Sequence, residues 1–185
     1  DTITITQISA INSSAATIID VSCYGENDGS ISTLTAGGTS PYTYSWSTGD
    51  TIEDISSLTA GNYTLSIIDA NGCDKAFPYT VTEPSSLQLS ISASQTYILN
   101  ASASGGTPPY SYSWRRNGSV SQIGMGVSYT VGIHDTYYVI LTDANGCTIT
   151  SNSITYEPDP PAGVVDASDV GISIYPNPFR EETTI

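Results

Sequence analysis

Gly37–Trp46 reads GGTSPYTYSW, and Gly105–Trp114 reads GGTPPYSYSW. The two stretches are nearly the same ten residues. Each is followed by an identical DANGC, at Asp69–Cys73 and Asp143–Cys147, and then by a Glu-Pro pair, Glu83-Pro84 and Glu157-Pro158. The 185 residues therefore form a tandem array of two small units rather than one large domain. Repeated small units build length and surface, whereas an enzyme needs one specialised cleft.

Outward from the repeat, the local pattern is that of β-strands. Tyr42, Tyr44 and Trp46 alternate with Thr43 and Ser45, which places the three rings on one face of a strand. Thr2–Ile8 alternates polar and apolar residues, and Thr17–Ser22, Ser30–Thr35, Asn62–Asp69 and Ala76–Thr82 are further strand candidates. Asn71-Gly72 between the last two is a dipeptide that tolerates the positive φ of a tight hairpin. The second unit repeats this order in Leu87–Ala93, Tyr97–Ser104, Tyr110–Arg115, Val127–Val131, Thr136–Thr142 and Thr148–Tyr156. It lacks the cysteine-bearing turn CYGENDG, and it carries a longer hairpin loop in RRNGSVSQIGMG. The fold class is all-β: two tandem immunoglobulin-like sandwiches at 1–84 and 85–158, with the Trp at the position of the buried strand C Trp. A Pro-rich linker at 159–170 and the start of a further β-segment at 171–185 follow.

Composition narrows the function classes. The net charge is −14, with only Lys75, Arg115, Arg116 and Arg180 positive, so nucleic acid and anionic membranes are disfavoured as partners. No stretch approaches the ~20 apolar residues of a membrane span, which argues against direct insertion. Catalytic signals are few. His134 is the one histidine and sits beside Asp135, but no G-x-S-x-G elbow accompanies it. The GGTSP glycines join two strands and precede no helix, so they read as turn residues rather than a phosphate cradle. No enzyme is expected and no catalytic residue is assigned.

The string CYGENDGSISTLTAGGTSPYTYSWSTG, followed by LTAGNYTLSIIDANGC, resembles the SprB-type repeat of Bacteroidetes surface proteins. Such repeats occur in gliding-motility adhesins and other large exported proteins. The second unit resembles the repeat from Gly105 onward. Ile174-Tyr175-Pro176-Asn177-Pro178 is similar to the opening of the C-terminal sorting domain read by the type IX secretion system, here only its first part. The sorting motif would comprise Tyr175, Pro176, Asn177 and Pro178. Together the resemblances imply a non-enzymatic structural or adhesive segment at the cell surface or outside the cell, exported through the type IX machinery. Two other readings stay open: a carbohydrate-binding accessory region of a secreted enzyme, and a self-assembling filament subunit. Surface polysaccharide or further copies of the chain are the partners these imply. For sugar binding the stacking candidates are Tyr42, Tyr44, Tyr110 and Tyr112.

Three cysteines in an oxidising compartment form an odd set. Pairing Cys23 with Cys73 inside one unit is the simple assignment. In a sandwich of this order, however, Cys23 lies in the turn entering strand B and Cys73 in the F–G turn at the other end. A strand of about six residues separates them by roughly 20 Å, whereas a disulfide spans Cα atoms up to about 7 Å apart. Head-to-tail stacking instead brings Cys23 to Cys147 and leaves Cys73 for an upstream repeat. Cys23–Cys147 is the expected bridge, with Cys23–Cys73 the alternative. Acidic groups gather at the same junction. Glu26, Asp28, Glu83, Asp143 and the Asn145 amide are weak candidate Ca²⁺ ligands, although Asp and Asn at turns more often serve the turns themselves. No cofactor is otherwise implied.

Overall fold

The computed structural model describes residues 9–94, 97–119 and 121–157. The strand expected at Thr2–Ile8, the linker at 159–170 and the segment 171–185 lie outside these residues.

The described residues are all-β, in two immunoglobulin-like sandwiches. In the first unit, β1 (Asn12–Ile19), β2 (Gly29–Ala36) and β4 (Ile55–Leu58) form one sheet in the order β1-β2-β4. β3 (Thr43–Trp46), β5 (Gly61–Ile68) and β6 (Asp74–Val81) form the other, in the order β3-β5-β6. These are strands A-B-E facing C-F-G of the immunoglobulin arrangement. The second unit repeats it. β7 (Gln88–Ala93), β8 (Ile98–Ser104) and β10 (Ser128–Thr130) make the A-B-E sheet. β9 (Ser111–Arg116) and β11 (Asp135–Thr142) pair antiparallel in the facing sheet, and β11 also pairs with β12 (Thr148–Thr150) and β13 (Ile154–Tyr156).

Each unit has its own core, drawn from the inward residues of both sheets. Ile31, Trp46, Ile55, Leu65, Ile67 and Val81 close the first. Leu99, Trp114, Tyr137 and Val139 close the second. Burying each large aliphatic side chain stabilises its unit by about 1.5–3 kcal/mol. The strand C tryptophans are buried to 3% and 0% exposure, and their indole N–H groups donate to the carbonyls of Ile52 at 3.0 Å and Gly126 at 2.9 Å. Tyr79 and Tyr129 rest against them, with ring centroids 5.7 and 5.9 Å away. Near the start of each strand F, a tyrosine hydroxyl reaches back to a carbonyl four residues upstream. Tyr63 donates to Thr59 at 2.8 Å, and Tyr137 to Ile133 at 2.9 Å. These are the tyrosine corners that pin the E–F connection of immunoglobulin-like folds.

Three expectations about strands need correction. Where a strand was expected at Thr17–Ser22, the first strand among the described residues is Asn12–Ile19. It begins in polar sequence because Ser13 is buried, its hydroxyl 2.6 Å from that of Tyr79. A register shift between Ser14 and Thr17 then breaks the alternation that would reveal it. Strand β4 was not expected at all. Ser57 adopts φ 60° within it, and the register against β2 shifts between Gly29 and Ser30. Its two buried residues, Ile55 and Leu58, are therefore three apart rather than two. Thr148–Tyr156 is not one strand but two. Ser151 turns its hydroxyl inward, accepting from the Val139 N–H at 3.0 Å and donating to the Asn152 carbonyl at 2.6 Å, and the ladder is interrupted until Ile154. The loop expected in 115–126 folds back onto β9. Trp114 and Gly124 form an antiparallel bridge, and the Ile123 N–H donates to the Trp114 carbonyl at 3.0 Å.

Candidate functional site: the junction between the units

The repeated GGT and DANGC motifs meet at one end of each unit. Gly37, Gly38, Gly105 and Gly106 all have positive φ, between 59° and 76°. A side chain at Gly37 or Gly105 would strike the backbone of Ala10 or Ser86, which passes directly above. The glycine pairs are thus required by the turn and by the incoming chain.

The DANGC aspartate locks the F–G turn to the B–C turn. Asp69 accepts the N–H groups of Asn71 and Cys73 at 2.9 Å each through Oδ1, and that of Thr39 at 3.0 Å through Oδ2. Asp143 does the same with Asn145 and Cys147 at 2.9 Å and Thr107 at 2.8 Å. Burial pushes both carboxyls up. The backbone N–H groups of Cys73, Thr39 and Asn71, and of Thr107, Cys147 and Asn145, outweigh it and hold both pKa values below the usual carboxylate range.

At the opposite end of the first unit, the A–B turn that carries Cys23 is fastened by three carboxylates. Asp28 accepts the Ser22 N–H at 2.9 Å, Glu83 accepts the Gly25 N–H at 2.6 Å, and Asp20 accepts the Thr82 N–H at 2.7 Å. The Ser22 hydroxyl and N–H hold the Asp28 carboxyl below its ordinary value.

The fastened turn meets the F–G end of the second unit. Cys23 and Cys147 form a disulfide, with their Cα atoms 5.7 Å apart. The Asn145 amide donates to the Ser22 carbonyl at 2.8 Å and to the Thr107 hydroxyl at 3.2 Å. The Gly106 N–H donates to the Ser85 carbonyl at 2.7 Å, seating the connecting segment on the B–C turn. An open recess of about 410 Å³ lies beside the bridge, lined by Tyr24, Glu26, Pro84 and Leu87 among others. The alternative pairing of Cys23 with Cys73 does not occur: Cys73 is a free, exposed thiol at the far end of its unit.

The structure separates the other candidates. Asp28 Oδ1, Glu83 Oε2 and both Asp143 oxygens accept backbone N–H groups, and the Asn145 amide nitrogen donates to the Ser22 carbonyl. Glu26 lines the recess. Among the described residues, no three His, Cys, Asp or Glu side chains converge as a metal site would require. His134 faces Glu157 at 3.8 Å, while Asp135 turns to Arg116 at 3.9 Å and to the Thr136 N–H at 2.7 Å. Tyr42 and Tyr44 pack against the first core and Tyr112 against the second. The hydroxyls of Tyr42 and Tyr110 donate to the carbonyls of Gly37 and Gly105. Their rings are only half exposed. Tyr175, Pro176, Asn177 and Pro178 lie outside the described residues.

Two features of the units escaped sequence reasoning. The tyrosine corners carry a usable signal, a Tyr four residues after Thr59 or Ile133 at the start of the strand before DANGC. The engagement of the Ser22 carbonyl by Asn145 has none, since a main-chain acceptor leaves no trace in the residue type.

A family model described as the SprB repeat matches residues 15–51 and 99–119. One matched stretch lies in each unit. The first match contains Cys23 and the GGT turn, and the second contains the corresponding GGT turn and Trp114. No curated protein matches the chain significantly. Among solved structures, the two immunoglobulin domains of DIP-gamma are similar at 13% identity and a TM-score of 0.40. That likeness covers 80% of this chain and 96% of that one.

Proposed function

We propose that this chain is a non-enzymatic structural or adhesive segment of an exported surface protein, in which disulfide-locked repeats hold another part of the molecule away from the cell. The observation that carries this reading is the Cys23–Cys147 bridge between successive repeats, 124 residues apart in sequence. Such a bridge persists in an oxidising compartment and not among cytosolic thiols. It also restrains the hinge that a linker between two small domains otherwise provides. The SprB-type matches support a surface setting. The resemblance of Ile174–Pro178 to a sorting-domain opening supports export by the type IX route.

The test is made in the source cells. Antibodies raised against the chain should label intact cells or the medium, and the protein recovered there should have Cys23 and Cys147 protected from alkylation. Deleting everything from Gly171 onward in the parent protein should abolish that labelling. Protein retained inside the cell with all three thiols reactive would refute the surface reading. Undiminished labelling after the deletion would refute the type IX route alone.

A further inference from the structure

The F–G end of the first unit is built bond for bond like the F–G end of the second, which is the face that holds the junction. The Asn71 amide donates to the Thr39 hydroxyl at 2.8 Å, as Asn145 does to Thr107. The Gly38 N–H donates to the Ser9 carbonyl at 2.7 Å, as Gly106 does to Ser85 at 2.7 Å. The Ala70 N–H donates to the Thr39 carbonyl at 2.8 Å, as Ala144 does to Thr107 at 2.8 Å. The incoming backbone at Ser9-Ala10 thus crosses this end along the path that Ser85-Ser86 takes between the units. A recess of about 120 Å³ opens there, with Asn71 and Cys73 on its wall.

The difference is occupancy. In the second unit, Asn145 and Cys147 hold the A–B turn of the first through the Ser22 carbonyl and Cys23. In the first unit Cys73 is unpaired and exposed. We infer that this face is a docking site for the cysteine-bearing A–B turn of another repeat unit, joined by a disulfide to Cys73 and by the Asn71 amide to the turn carbonyl. A second copy of this chain does not qualify as donor, because its Cys23 is already bonded to its own Cys147. The occupant is a repeat unit of the parent protein whose cysteine at the Cys23 position is free and which leads into Ser9 as the first unit leads into Ser85. This inference rests on the tandem-array reading.

Bond formation needs an oxidant, and oxidised glutathione serves in the test. One cysteine attacks it and releases a glutathione thiol. The second cysteine then attacks the mixed disulfide and releases the other. Two protein thiols become one disulfide while one glutathione disulfide becomes two thiols.

The experiment extends the whole chain by one unit. A copy of residues 9–84 is inserted ahead of Ser9, so that Ser9 follows Glu83-Pro84 as Ser85 does. The copy carries Cys73→Ser, and Asn27→Gln as a mass tag. After oxidation with glutathione, peptides cut before aspartate are mapped without reduction. The expected result is the tagged Asp20–Asn27 peptide linked to Asp69–Cys73, the untagged one linked to the Cys147 peptide, and no free thiol. Changing the copy's Cys23 to Ser should restore one alkylatable thiol, at Cys73. Free thiols at the copy's Cys23 and at Cys73, beside an intact Cys23–Cys147 link, would overturn the docking site and leave the tandem reading standing. Loss of the Cys23–Cys147 link from the unextended chain would overturn both.

Discussion

The two F–G ends of this molecule share a sequence, a turn geometry and a hydrogen-bond pattern, yet one is joined and the other is open. Asp143 and Asp69 clamp their turns through the same three backbone N–H groups. The turn is therefore complete without a partner, and DANGC encodes a finished surface rather than one that folds on contact. What the joined end adds is a covalent bond and one amide-to-carbonyl bond. The junction is thus assembled from preformed parts, with the A–B turn on the other side equally fixed by Asp28, Glu83 and Asp20. Preformed partners lose little conformational entropy on meeting, which suits a repeat whose neighbours must stack without reorganising.

If the units are independently folded bodies joined at preformed surfaces, damage to one core should stay local. Trp114→Ala should cost the second unit about 3–5 kcal/mol, enough to unfold a domain of this size. Trp46→Ala should do the same to the first. Two separated thermal transitions in each variant would agree with this. Simultaneous loss of both units in either variant would contradict it.

Opening the junction should have the next largest effect. Replacing Cys23 and Cys147 with serine should weaken the docked arrangement by about 2–4 kcal/mol while leaving both cores folded. Proteolysis at Pro84–Ser86 should accelerate, with each unit's own melting barely changed. Cys73→Ser should alter neither, since Cys73 forms no disulfide.

Acid should act on both ends alike. The folded-state pKa values of Asp69 and Asp143 are depressed. Their stabilisation is therefore fully present above the unfolded carboxylate value of about 4 and is lost as pH falls through the lower folded values. Thermal midpoints should be flat from neutral pH to about 5 and fall below about 4. Asp69→Asn should flatten that fall for the first unit and Asp143→Asn for the second. A fall equally steep in both variants would place the acid sensitivity elsewhere. The smallest expected effect is at the tyrosine corners, where Tyr63→Phe and Tyr137→Phe should each cost about 1 kcal/mol by chemical denaturation.

Much of this arrangement could be read from residue types. The alternation of Tyr44 and Trp46, the glycine pairs and the DANGC turns point to paired sandwiches without any coordinates. The geometry of opposite strand ends directs Cys23 toward Cys147. The unread parts share a cause: they depart from strict alternation. Ser57 shifts the register of β4 with a left-handed φ, Ser13 is a buried polar residue at the head of β1, and Ser151 interrupts the last strand by turning inward. Serine is abundant and mostly exposed in this chain, so nothing in its identity distinguishes these three positions. At the junction, service to the turns is the favoured reading of the acidic residues, and Asp28 and Asp143 do serve them, but the particular partners could not be read. Their partners are main-chain N–H groups, which every residue except proline carries.

Successive units are cross-linked end to end through Cys23 and Cys147, and non-reducing peptide mapping of the purified, thiol-blocked chain checks this. The expected result is one linked pair, the Asp20–Asn27 peptide with the peptide beginning at Asp143, and Cys73 recovered alkylated. A link between Asp20–Asn27 and Asp69–Cys73, or recovery of all three cysteines alkylated, would contradict it.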